Sequence, residues 1–228
     1  MKVSVHSLYF PNINPTVVEC HKKVYQKFEI PVQYTAMNRP PIRQIPCDHG
    51  IWMDETIKNN DSDVFVFTDI DCVPLTRDIF MEGLKYVIQN DSFIGTAQAS
   101  NHIHPRSHVF ASPAFFFITK NCHNKMGSPS FKETNRSDVA QEVSYIAEER
   151  GINYRCWYPT KFDGVPMSGL WKLSNYGTYG IGTLFADKIY HLYESRFNAN
   201  VDLFQKRCDQ ILSDNFITDG MTNSTNLI

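Results

Sequence analysis

Residues 63–75, Asp-Val-Phe-Val-Phe-Thr-Asp-Ile-Asp-Cys-Val-Pro-Leu, constrain what this chain can fold into more than any other stretch. Val64 to Phe67 is an unbroken β-branched and aromatic run, which is how a strand buried on both faces of a parallel sheet reads. Asp69 and Asp71 follow at once, so the strand delivers two carboxylates to its carboxyl end, where open α/β sheets bind ligands. An extended backbone would point both acids one way and Ile70 the other. Two converging anions repel unless a cation lies between them, and hard oxygen ligands suit Mg²⁺ or Mn²⁺. A bare Asp-x-Asp is also an ordinary acidic turn with Pro74 as a breaker, and only the apolar strand in front of it favours the metal.

The 228 residues are enough for one α/β domain spanning 1–228, since no Pro-, Gly- or Ser-rich linker divides them. The polar residues 218–228 are expected to fray. With 22 basic against 24 acidic residues, no sequence-wide field attracts nucleic acid. Six cysteines without a Cys-x-x-Cys pair, and a strand pattern that begins at Lys2 with no signal peptide before it, predict reduced thiols and a cytoplasmic location. The Asn-x-Ser/Thr matches at Asn60, Asn90, Asn135 and Asn223 then carry no glycan meaning. The longest apolar run, Val109 to Ile118, is too short to span a bilayer.

Along the chain, Val3 to Phe10 reads as a first strand, and Asn14-Pro15 as the cap and first turn of a helix running to Phe28. A short strand over 31–37 and a Pro-rich loop over 39–46 lead to Asp48, a cap for a helix over 51–58. After the acidic strand, Thr76 caps a helix in which Gly83 is a tolerated interior glycine. Residues 93–99 and 114–119 read as strands, separated by a loop with His102, His104 and His108, whose plain reading is solvated side chains. Asp138 with Gln141 forms a capping box for a helix that Gly151 closes, and 152–158 reads as a strand.

The order strand, helix, strand, helix, then an apolar strand ending in Asp69-x-Asp71, and some 120 residues later the segment Tyr190-His-x-Tyr-x-Ser-Arg196, resembles the GT-A fold of nucleotide-sugar glycosyltransferases. It is most similar to the small, metal-dependent members of bacteria and large DNA viruses. The resemblance implies an α/β, Rossmann-like fold with a mixed, mostly parallel central sheet flanked by helices. It implies that Asp69 lies near the ribose and the metal, that Asp71 binds the ion, that His191 is the third protein ligand, and that Arg196 reaches the diphosphate. An imidazole beside two carboxylates tilts the choice toward Mn²⁺ over Mg²⁺. The implied nucleotide-binding set is Ser7, Leu8, Tyr9, His49, Asp69, Ile70, Asp71, Gly182 and Arg196, with the glycines of the 176–182 loop allowing close backbone approach.

Inverting sugar transfer needs a carboxylate to take the acceptor hydroxyl proton. The resemblance points to Asp138 as that base, with Glu142 one turn on as the other candidate. The resemblance implies a nucleotide-diphosphate sugar, a UDP-sugar first, as donor and a glycan or other hydroxyl compound as acceptor, for which Trp157, Trp171 and Tyr176 offer stacking surfaces. Base, sugar, acceptor, stereochemical course and oligomeric state are not readable from the residues. Two other classes stay open: a haloacid-dehalogenase-like phosphatase with Asp69 as nucleophile, and a non-catalytic sugar-nucleotide-binding module.

Overall fold

The computed structural model describes residues 1–39, 48–100, 103 and 108–227. The first part of the chain forms β1 (Val3–Tyr9), α1 (Pro15–Lys27), β2 (Val32–Ala36), α2 (Asp48–Asn59), β3 (Val64–Thr68), β4 (Cys72–Pro74) and α3 (Arg77–Asn90). The middle forms β5 (Phe93–Ala99), β6 (Val109–Thr119), α4 (Lys120–Lys125), α5 (Gln141–Glu149) and β7 (Arg155–Trp157). The last part forms β8 (Pro159–Asp163), β9 (Trp171–Lys172), β10 (Thr178–Tyr179), β11 (Gly182–Phe185), β12 (Ile189–Leu192), α6 (Asn198–Leu212) and β13 (Thr222–Asn223).

Six strands make the central sheet in the order β2-β1-β3-β6-β5-β7. Only β6 runs against the others, so the sheet is mixed and mostly parallel. The acidic strand is central, as its pattern requires. Val64 and Val66 join one core with α1, α3 and α6, while Phe65 and Phe67 join another with α2, α4 and α5. Helices therefore cover both faces, the α/β Rossmann-like arrangement expected. Four of the described cysteines, Cys20, Cys72, Cys122 and Cys208, are buried as small core residues.

Several local expectations change. Asn14 caps α1, its side chain accepting the Thr16 amide at 2.9 Å. Asp48 is helical, within α2, rather than its cap. Gly83 does more than survive in α3: a Cβ there would meet the Phe117 and Trp157 rings at 3.0 Å, so glycine sets how closely the helix approaches the sheet. The strand expected over 114–119 begins at Val109, and its register against β5 shifts between Gly95 and Thr96, a bulge that accommodates Pro113. The expected tail does not fray throughout, because Thr222 and Asn223 pair with β8 and the buried Ser224 bonds to Thr178. The loop over 40–46, with His102 and His104, lies outside the described residues. His108 is engaged at both nitrogens, by Gln141 at 2.9 Å and Glu148 at 3.0 Å.

A second sheet, β13-β8-β11-β12-β4, is antiparallel throughout. Only three residues, 69–71, separate the end of β3 from its strand β4. The acidic motif is thus the crossing point between the two sheets. No helix among the described residues is long and apolar enough to cross a membrane.

Candidate metal centre

Asp69, Ile70 and Asp71 form a tight turn rather than a continuation of the strand: the Cys72 amide donates to the Asp69 carbonyl at 3.0 Å, closing it. The turn is pinned from both sides. The Asp69 amide donates to Ala114 of β6 at 2.9 Å, and the Leu192 amide of β12 donates to the Asp71 carbonyl at 2.9 Å. From α1, the Tyr25 hydroxyl meets Thr68 Oγ1 at 2.7 Å, and Thr68 reaches the Cys72 carbonyl at 3.2 Å. Ile70 is 5% exposed and belongs to the core, so it still faces away from the acids.

Pairing of β12 with β4 sets His191 opposite Cys72 and brings its imidazole to the acids. Its Nε2 lies 3.4 Å from Asp71 and 3.9 Å from Asp69, and one ligand atom from each of the three residues falls within 4.8 Å of the others. Among the described residues this is the cluster able to hold a metal. Two carboxylates and an imidazole suit Mn²⁺ or Mg²⁺, and bonds of about 2.1 Å need only side-chain-scale adjustment from this spacing. Ser195 Oγ donates to Asp71 Oδ2 at 2.5 Å, and His49 Nε2 stands 3.6 Å from Asp69. Burial pushes the Asp69 carboxyl above the usual carboxylate range, with Asp71 adding to it and His49 and His191 opposing. Burial acts on Asp71 as well, yet the His191 and Ser195 contacts hold its carboxyl below the usual range. The two acids are pushed apart, burial dominating at Asp69 and the hydrogen-bonding partners at Asp71.

Two cavities meet at this cluster and share His49, Asp69, Asp71 and Glu194. The first, about 310 Å³, is lined also by Leu8, Tyr9, Asn12, Ile70, Ser195 and Arg196. The second, about 250 Å³, is lined also by Gln98, Pro113, Asp138, His191 and Tyr193. Of the residues picked out from the sequence, Leu8, Tyr9, His49, Asp69, Ile70, Asp71, Asp138, His191 and Arg196 thus come together. Three do not. Ser7 is fully buried and lines neither cavity, because it lies deeper in β1 than Leu8 and Tyr9, which end the strand at the cleft. Gly182 lies in β11, where an added Cβ would strike Asp163 and Tyr190, so its close approach is to the protein and not to a ligand. Glu142 is ion-paired with Arg136 outside both cavities.

Asp138 does not cap α5. Helix α5 starts at Gln141 after a left-handed step at Ala140, which makes no side-chain cap. Only half of the expected box forms, with the Asp138 amide donating to Gln141 Oε1 at 2.8 Å, while Asp138 Oδ1 takes the Val139 amide at 2.8 Å. Sequence reasoning missed Ser195, Tyr193, Glu194 and Gln98. The first three flank His191 within the quoted segment, so their signal was proximity to a ligand; Gln98 gave none. Of the aromatic residues, Trp157 is core, packed on Phe115 and Phe117, Trp171 is edge-on to Tyr193, and the half-exposed Tyr176 stacks on Tyr158.

No protein-family model matches this chain, and no curated protein sequence does. Among solved structures it is similar to a protein of STIV at 13% identity and a TM-score of 0.43, over 84% of this chain and 94% of that one. It is similar to a mannosyltransferase of Pyrobaculum calidifontis in complex with GDP-Man and Mn²⁺ at 9% identity and a TM-score of 0.46, over 68% of this chain and 54% of that one. A third is TarS of S. aureus in complex with UDP-GlcNAc, at 10% identity and a TM-score of 0.36, over 61% of this chain and 51% of that one. The chain thus spans about half the length of the latter two chains. Likenesses this distant assign no function.

Proposed function

We propose that this chain is a single-domain, cytoplasmic, inverting glycosyltransferase that moves a hexose from a nucleotide-diphosphate sugar, a UDP-sugar first, to a hydroxyl of a glycan or other acceptor. The observation that carries this reading is the convergence of Asp69, Asp71 and His191 between two cavities. Mn²⁺ or Mg²⁺ held by these three would neutralise a diphosphate and stabilise the charge that develops on it as it leaves. On the first side, Leu8 and Tyr9 offer an apolar and aromatic surface to the nucleoside, and Arg196 a guanidinium to the diphosphate. On the second side, Asp138 accepts the proton of the acceptor hydroxyl as the new bond forms. His49 and Ser195 hold the acids in place, the part that groups behind metal ligands commonly play.

Incubation with a panel of nucleotide sugars and Mn²⁺, followed by measurement of free nucleotide, tests this. Sugar transfer that needs Asp71 supports it. Phosphate released from simple monoesters would favour the phosphatase instead. Binding without turnover would leave a sugar-nucleotide-binding module.

A further inference from the structure

The two cavities differ in charge. Glu194 lines both, but the first also carries the Arg196 guanidinium, whereas the second has among its described lining residues no lysine or arginine. Glu194 stands where the cavities meet. Its backbone is left-handed at φ 58°, a conformation that disfavours any residue but glycine and that persists only where its surroundings enforce it. Those surroundings are visible: the Glu194 carbonyl accepts the Phe197 amide at 3.0 Å and the Asn200 side-chain amide at 3.1 Å. Its carboxylate has no hydrogen-bond or ion-pair partner among the described residues. The preceding residue adds an independent sign of a missing ligand. Tyr193 lines the second cavity and is 9% exposed, and its buried hydroxyl has no hydrogen-bond partner. A buried hydroxyl left unpaired is costly, so native structures normally give it one.

We infer that the group transferred at this site is an uncharged sugar, gripped through its hydroxyls by Glu194 and Tyr193, and that sugar acids are rejected. This rests on the transferase reading above. A carboxylate cannot serve the diphosphate, which it repels, so its complement is a donor of hydrogen bonds, and a pyranose ring presents several. The tyrosine hydroxyl pairs with a further hydroxyl or with the ring oxygen. A carboxylate on the sugar itself would meet Glu194 in a partly desolvated cavity, where like charges at a few ångströms repel strongly. The positive character that the ring gains as the glycosidic bond breaks would also be favoured by Glu194.

The test compares donors that share a nucleotide and differ only in sugar charge: UDP-glucose with UDP-glucuronate, and GDP-mannose with GDP-mannuronate, titrated calorimetrically with Mn²⁺ present. The wild type should bind the neutral member at least tenfold more tightly. Glu194→Gln should shrink that ratio to within about threefold while leaving the affinity for UDP or GDP alone unchanged. Tyr193→Phe should weaken the neutral sugar nucleotide severalfold and, again, not the bare nucleotide. Equal affinity for neutral and acidic donors in the wild type, or a ratio that Glu194→Gln leaves in place, overturns this inference while the transferase stands. Failure of either nucleotide to bind the wild type with Mn²⁺ overturns both.

Discussion

In the six-stranded sheet, β3 has all five residues buried between two helical layers, and its length alone aims Asp69 at the cleft. In the five-stranded sheet, β4 has three residues and β12 four, and His191 reaches the cleft only because these two short strands pair in one register. Half of the metal cluster is placed by local burial and half by long-range pairing. The first half tolerates changes elsewhere, while the second depends on a few hydrogen bonds. The acids should therefore behave as chemistry and the residues around β12 as alignment, and experiments can separate the two.

The largest effect is expected for Asp71→Ala, which should lower Mn²⁺-dependent nucleotide release by about 10³-fold or more with little loss of thermal stability. A large fall in melting temperature instead would mean that the acid holds the sheets together rather than the ion. Asp138→Asn should lower transfer by about 10²-fold while nucleotide binding in calorimetry stays intact; near-normal transfer would remove Asp138 from the reaction. Ser195→Ala, which deletes the 2.5 Å bond to Asp71, should weaken Mn²⁺ about tenfold, measured as the Mn²⁺ dependence of the rate.

The smallest effect on activity is expected from the first sheet's own imidazole. Burial lowers His6 to about 4 from 6.5, so the unfolded chain takes up a proton between those values that the folded one does not. Stability from this source is complete above pH 6.5 and is lost as pH falls toward 4, by about 2 kcal/mol at pH 5. Urea unfolding at pH 7 and pH 5 should show a loss smaller in His6→Leu by about that amount than in the wild type, where the buried His21 and His123 add to it. A variant with unchanged pH dependence would show that His6 titrates normally.

Much of the first sheet was legible. The apolar run before Asp69, the Asn14-Pro15 start and the glycine after α5 are local chemistry, and each acts where the pattern places it. The capping box at Asp138 misled because Ala140 adopts a left-handed backbone, and nothing about an alanine announces that. Ser7 misled because only the end of β1, Leu8 and Tyr9, reaches the cleft, and the residue pattern does not mark where the strand ends. Gly182 resembled a ligand-facing glycine because a missing Cβ leaves the same mark in sequence whether phosphate or tyrosine fills the space. The β12 register depends on residues more than a hundred positions apart, and only the resemblance pointed to His191.

The crossing of the chain from β3 to β4 has a mechanical consequence. A divalent ion seated there would act as a rivet, fastening the turn from the helical half to the strand from the other half. Stripped of it by a chelator, the protein should exchange the Leu192 and Cys72 amides with solvent deuterium sooner than those of β3, and a protease should find the β12 side first.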